Sequence, residues 1–160
     1  MVSRVFSAGL SGIDGYIVTV ECFLSGGLPR LDVVGLPTGA VSEAGERVRA
    51  AAKACAFDWP VSRLTVNLAP ADTKKAGTAY DLPLLLSILA AAGEIDAPPD
   101  NALFFGELSL TGELRPVCGA LSMALAARDA GFKTVFVPAM NAAEASLCFR
   151  CDSVSDPYIK

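Results

Sequence analysis

No histidine occurs anywhere in the 160 residues. That removes Ser-His-Asp and Cys-His nucleophile systems, HExxH zinc sites and any imidazole proton shuttle. Charge is sparse as well. Thirteen Lys+Arg against seventeen Asp+Glu leave a net charge of −4, a poor field for holding duplex nucleic acid through counterion release. Long apolar runs are missing: Leu82–Gly93 falls short of the ~20 residues that a membrane-spanning helix needs and is predicted to be a core helix covered on all sides. Neither GxxxxGK[ST] nor GxGxxG is present, so no phosphate-cradling loop of either type is expected. The opening MVSRVFSAGLSG has no apolar stretch of secretory-signal length, and a reducing cytoplasm is the expected compartment. What remains is a chain that is 52% hydrophobic, apolar enough for a buried core and unlike a disordered segment.

Five cysteines are scattered along the sequence. Cys22, Cys55 and Cys118 are expected to be buried thiols. Cys148 and Cys151 form a lone CFRC, and with no second pair a structural zinc site is not expected.

Residues 4–9 and 14–24 read as strands, the second placing Tyr16, Val18, Val20, Cys22 and Leu24 on one face. Leu31–Val34 makes a third, and three strands with short connections predict an antiparallel meander. A helix is predicted over 38–56, where Val41, Ala44, Val48, Ala51 and Cys55 recur at helical spacing. Its charges, Arg47 among them, are read as a solvated face with Glu43 four residues before Arg47. Residues 63–69 form another strand, 70–79 a polar loop, and Asp81 is expected to cap the apolar helix that Gly93 stops. A strand pair, 102–108 and 110–115, should meet around Ser109–Glu113. A helix over 117–130, a strand over 134–137 and a short helix capped by Asn141 and Glu144 complete the pattern. The sum is an α+β fold, helices packed on a mixed sheet.

Two segments carry more than scaffold. In Pro70–Asp81 (PADTKKAGTAYD) a basic pair and two acids sit between a core strand and a core helix, where loops often carry function. Gly106–Val117 (GELSLTGELRPV) has glycines that suit a tight, bulged hairpin. A serine–lysine dyad is the one hydrolytic option that the missing histidine leaves open, since a desolvated lysine can serve as base.

Five stretches, taken in order, make the chain resemble a known family: GLPRLDVVGLP (27–37), SEAGERVRAA (42–51), LTVNLAPADTKKAGTAYDLPLLLSILAA (64–91), FGELSLTGELRPVCGALSMALAA (105–127) and VPAMNAAEASL (137–147). They are similar to the N-terminal domain of the magnesium-chelatase-like AAA+ ATPases of the ComM type. The resemblance implies the fold shared by Lon-type peptidases and ribosomal protein S5 domain 2, over residues 1–147, with 148–160 as a tail outside the family pattern. It also implies a neighbouring AAA+ motor that assembles as a ring and processes DNA in transformation or recombination.

Carried over residue by residue, the resemblance places Ala79 where Lon-type enzymes have the nucleophilic serine and Leu121 where they have the base lysine, with Ser122 turned elsewhere on the helix. No catalytic residue and no metal ligand is therefore expected. The expectation is a non-catalytic accessory domain whose contact residues are Asp72, Lys74, Lys75, Asp81 and Glu107. Its partners would be the AAA+ module of the same protein and neighbouring ring subunits, with DNA held by the full assembly and no membrane involved. ATP and Mg2+ would belong to the motor, which these 160 residues do not contain. Two other readings stay open, a divergent serine–lysine peptidase and a weak nucleic-acid module built from Lys74, Lys75, Arg47, Arg49 and Lys53.

Overall fold

The computed structural model describes residues 1–149, so residues 150–160 of the expected tail, Cys151 included, lie outside the described residues. Strands β1 (Val2–Ser11) and β2 (Asp14–Ser25) form a long antiparallel hairpin, in register from Val2 against Phe23 to Ser11 against Asp14. Its two-residue turn opens on Gly12 with φ of +65°, a conformation that glycine takes without steric cost. The predicted face of β2 is the buried one: Val18, Val20 and Cys22 are sealed in the core.

Among the described residues the main sheet has six strands, in the order β3 (Arg30–Val34), β4 (Arg63–Ala69), β2, β1, β5 (Ala102–Phe104) and β8 (Thr134–Phe136). Here the meander expectation fails. β3 (Arg30–Val34) pairs parallel with β4 (Arg63–Ala69), and β4 takes the place beside β2. The reason is the helical segment between β3 and β4, which carries the chain back over the sheet as parallel pairing requires. β5 (Ala102–Phe104) and β8 (Thr134–Phe136) extend the other side, again in parallel. β2 alone runs against the other five strands, so the loops that follow β3, β4 and β5 gather at one end of the sheet.

The predicted 38–56 helix is interrupted at Glu43 into α1 (Gly39–Ser42) and α2 (Ala44–Ala54). α3 (Asp81–Ala92) has the predicted all-round burial and stops at Gly93, whose φ of +82° is the left-handed end expected of a glycine. The 102–115 strand pair is divided: β5 joins the main sheet, while β6 (Glu107–Leu108) and β7 (Leu114–Arg115) form a separate small hairpin. α4 (Ala120–Asp129) starts later than predicted, behind Gly119 at φ +79°. Before α5 (Ala142–Ala145), Asn141 does not cap in the expected way. Its amide accepts from the Val117 amide and donates to the Val117 carbonyl and to Glu144 Oε1, tying α5 to the entry of α4.

Two cores follow from the alternation of strand side chains. One face packs Val5, Val20, Leu64, Val66 and Leu68 against α2 and α3, and the other packs Ala8 and Leu103 against Ala120, Met123 and Ala127 of α4. Each fully buried leucine contributes about 1.5–3 kcal/mol over leaving it in water. α4 lies so close that a Cβ on Gly15 would stand 2.3 Å from the Ser122 carbonyl oxygen. Of the cysteines, Cys22 is buried and Cys55 partly so, but Cys118 is exposed, contrary to expectation, because it precedes α4 instead of lying on its inner face.

Candidate interaction site

The loop between β4 and α3 is held at both ends. Lys75 donates its amide to Leu36 O at 3.0 Å, and its carbonyl accepts from Thr38 N and Thr38 Oγ1 at 2.9 and 2.8 Å. Its side chain turns inward, fully buried, with Nζ donating to Pro70 O. Burial lowers the pKa of this ammonium, and the nearby Asp72 carboxylate offsets part of the effect. The facing segment can sit this close because Gly35 (φ +99°) has no side chain: a Cβ there would lie 2.2 Å from Leu68 O. Leu36 follows at φ +56°, a left-handed conformation uncommon outside glycine.

At the other end of the loop, Asp81 does not cap α3. Its side chain is buried under Arg47, which donates from Nε and Nη2 to the two carboxylate oxygens at 2.8 and 2.9 Å. The Leu108 amide donates to the same carboxylate at 3.2 Å, and Arg47 Nη2 also reaches Ala40 O. Burial raises the Asp81 pKa, while the Arg47 and Leu108 donors pull it back; the hydrogen bond to Asp81 holds Arg47 more firmly protonated. Glu107 completes the junction, accepting from Thr78 Oγ1 at 2.5 Å and facing Arg115 at 3.9 Å. Tyr16 Oη donates to Lys74 O and lies 3.4 Å from the Tyr80 hydroxyl.

Thus Thr78, Asp81 and Glu107 come together with Arg47 and Arg115, while Lys75 locks the far side of the loop. Asp72 and Lys74 are exposed, Glu107 is partly so, and Lys75 and Asp81 offer no surface. For those last two the expected contact role is corrected to a positioning one. Tyr16 and Tyr80 join the junction with no signal in the sequence, and Arg47 pairs inward instead of lying on the solvated face expected of it. Arg47 had a signal, since it falls three residues after Ala44 and four before Ala51, on the rim of the buried stripe of α2. The five basic residues considered for a nucleic-acid patch do not assemble: Lys75 is enclosed and Arg47 is committed to Asp81.

Ala79 is half-buried, its carbonyl accepting from the Gly106 amide at 2.9 Å, and Leu121 is half-buried on α4. Among the described residues no serine hydroxyl is hydrogen-bonded to a lysine. The mouth of α3 is also occupied: Asp81 N donates to Thr78 O, Leu82 N to Gly106 O, and Pro83 has no amide proton. Among the described residues no group of three His, Cys, Asp or Glu is placed to hold a metal ion, and no helix is long and apolar enough to cross a membrane.

Residues 20–141 match the family described as subunit ChlI of Mg-chelatase. The chain belongs to this family of Mg-chelatase-like AAA+ ATPases. It is 43% identical over 144 residues to competence protein ComM of Haemophilus influenzae, covering 89% of this chain and 28% of that protein. It is 42% identical over 135 residues to the uncharacterized protein YifB of Escherichia coli, covering 84% and 27%. A shorter match, 36% over 80 residues, reaches the mitochondrial Lon protease homolog of Caenorhabditis briggsae, covering half of this chain and 8% of that protein. The Mg-chelatase-like chain thus spans less than a third of the length of its ComM-type relatives, and its mixed sheet with packed helices is the S5-like, Lon-like α+β fold.

Proposed function

We propose that this chain is a non-catalytic interaction domain of a ring-forming, cytoplasmic AAA+ ATPase that processes DNA. The observation that carries the reading is the state of the β4–α3 loop. A methyl group stands at Ala79 and an isobutyl group at Leu121, the loop's buried amine is taken by the Pro70 carbonyl, and α3 offers no amide from its first three positions. A loop fixed so firmly, with no reactive group, serves as a shaped surface. Its exposed charges, Asp72 and Lys74 with the edge of Glu107, face the motor module or a neighbouring subunit. ATP and Mg2+ act in the motor, and DNA is held by the assembly. The relatives of the ComM type and the shorter likeness to a Lon protease homolog support this reading.

The test uses the full-length protein carrying Asp72→Lys and Lys74→Glu. Ring assembly and DNA-stimulated ATPase should both weaken, and Lys74→Glu alone should weaken them while the unfolding temperature stays put, because Lys74 is exposed and the Asp72 carboxylate beside Lys75 is kept. Unchanged assembly would overturn the contact assignment. Covalent labelling of any serine by a serine-reactive phosphonate would overturn the non-catalytic half.

A further inference from the structure

Among the described residues, β3 lies at the edge of the sheet, paired with β4 on one side only. Because β3, α2 and β4 form a parallel crossover, α2 runs back against the direction of β3. Between them lies a groove of about 870 Å³ whose floor includes Leu31 and Val33 and which Trp59 and Val61 border. The charges that line this groove change sign along the direction of α2. Glu43, at the break before the helix, and Glu46 come first, and Arg49 and Lys53 follow toward its C-terminal end. Among the described residues none of the four forms a salt bridge. At the basic end Val61 stands clear of the surface, 84% exposed.

We propose that this edge is a two-fold docking surface for a second copy of the same chain. The β3 strands meet antiparallel, joining two sheets into one, and the two α2 helices lie antiparallel across the seam. Charge complementarity selects this occupant. A surface that runs from acidic to basic is its own complement when turned end for end, so Glu43 and Glu46 of each copy meet Arg49 and Lys53 of the other. The same rotation brings the projecting Val61 of one copy toward the open, acidic end of the other's groove. It also supplies the missing partner for an edge of unpaired amides and carbonyls, a standing invitation to association. The contact is isologous and closes on itself in a pair, so it cannot be the head-to-tail contact that repeats around a ring. It is therefore independent of the surface assigned above.

The 160-residue chain should sediment as a dimer that dissociates at low micromolar concentration, and raising salt should weaken the dimer because its charges lie near water. Glu43→Lys with Glu46→Lys makes these four charges all basic, and Arg49→Glu with Lys53→Glu makes them all acidic. Each double variant alone should be monomeric with an unchanged far-UV spectrum, and an equimolar mixture should restore a heterodimer. Val61→Asp, in a loop where folding is not at stake, should weaken the wild-type dimer at least tenfold. The proposal fails if the wild-type chain is monomeric at every concentration, which would leave the groove to an extended segment of some other protein. It fails equally if each double variant still dimerises alone, or if the two do not pair when mixed.

Discussion

Arg47 on α2 and Asp81 on α3 are joined by two hydrogen bonds, 2.8 and 2.9 Å long, from one guanidinium to both oxygens of one carboxylate. Fork-to-fork geometry of this kind is the strong form of an ion pair. Only about a fifth of the Arg47 side chain and almost none of Asp81 reaches water, so neither charge can be abandoned cheaply.

Removing one partner is therefore expected to cost far more than removing both. Asp81→Leu and Arg47→Met should each lower stability by about 3 kcal/mol, since each strands a charge that is largely shut off from water. Arg47→Met with Asp81→Leu should recover most of that, falling short by about 1 kcal/mol because the Leu108 amide loses its acceptor. Urea titration of the two singles and the double gives the coupling directly. Equal and additive losses would show that the pair is not cooperative.

Gly9 is the point where the hairpin meets the loop. A Cβ there would lie 2.1 Å from the Tyr80 hydroxyl and 2.9 Å from Tyr16 Oη. Gly9→Ala should destabilise the chain by about 1–3 kcal/mol through overpacking. Adding Tyr80→Phe removes the struck oxygen and should return part of the loss. Thermal unfolding of the single and double variants reads the difference.

Buried groups impose opposite slopes on alkaline stability, Lys75 on one side and Cys22, with Tyr80 and Cys55, on the other. Lys75 has a folded pKa below its usual 10.5. Between those values the unfolded chain binds the extra proton, so stability should rise with pH, and Lys75→Met should abolish that rise. Burial pushes the Cys22 thiol from 9.0 to about 12. In that interval the folded chain keeps the proton, so stability should fall as pH rises, and Cys22→Ala should lessen the fall, with Tyr80 and Cys55 sustaining the rest. Urea midpoints measured from neutral pH to about pH 11 separate the two.

Periodicity alone located β2 and α3. In β2 a two-residue alternation marked the buried face from Val18 to Cys22, and in α3 the leucines left no polar side to misread. Pairing partners were less accessible. Nothing local in Arg30–Val34 distinguishes a third meander strand from an edge strand laid parallel to β4, because that choice is made by the helices that follow. The division of residues 102–115 between two sheets was hidden for a similar reason: its cause is the main-chain bonding of Gly106 to Ala79 and Leu82, far away in sequence.

The candidate site shows the same limit in its side chains. The charges of the Pro70–Asp81 loop set it apart in the sequence, and in the structure it joins β4 to α3. The sequence did not reveal which charges face water. Lys74 and Lys75 are adjacent and chemically identical, yet one is exposed and the other enclosed, decided by the backbone bonds of Lys75 to Leu36 and Thr38. Arg47 likewise reads as a partner for Glu43 on its own helix and instead crosses to Asp81.

The occupied mouth of α3 bears on what position 79 could support. A serine placed there would set an alcohol beside a helix whose leading amides are already spent on Thr78 and Gly106 or absent at Pro83. Those three positions have no donor to spare for a developing negative charge on an acyl oxygen. A new hydroxyl alone would therefore find no such cradle at the start of this helix.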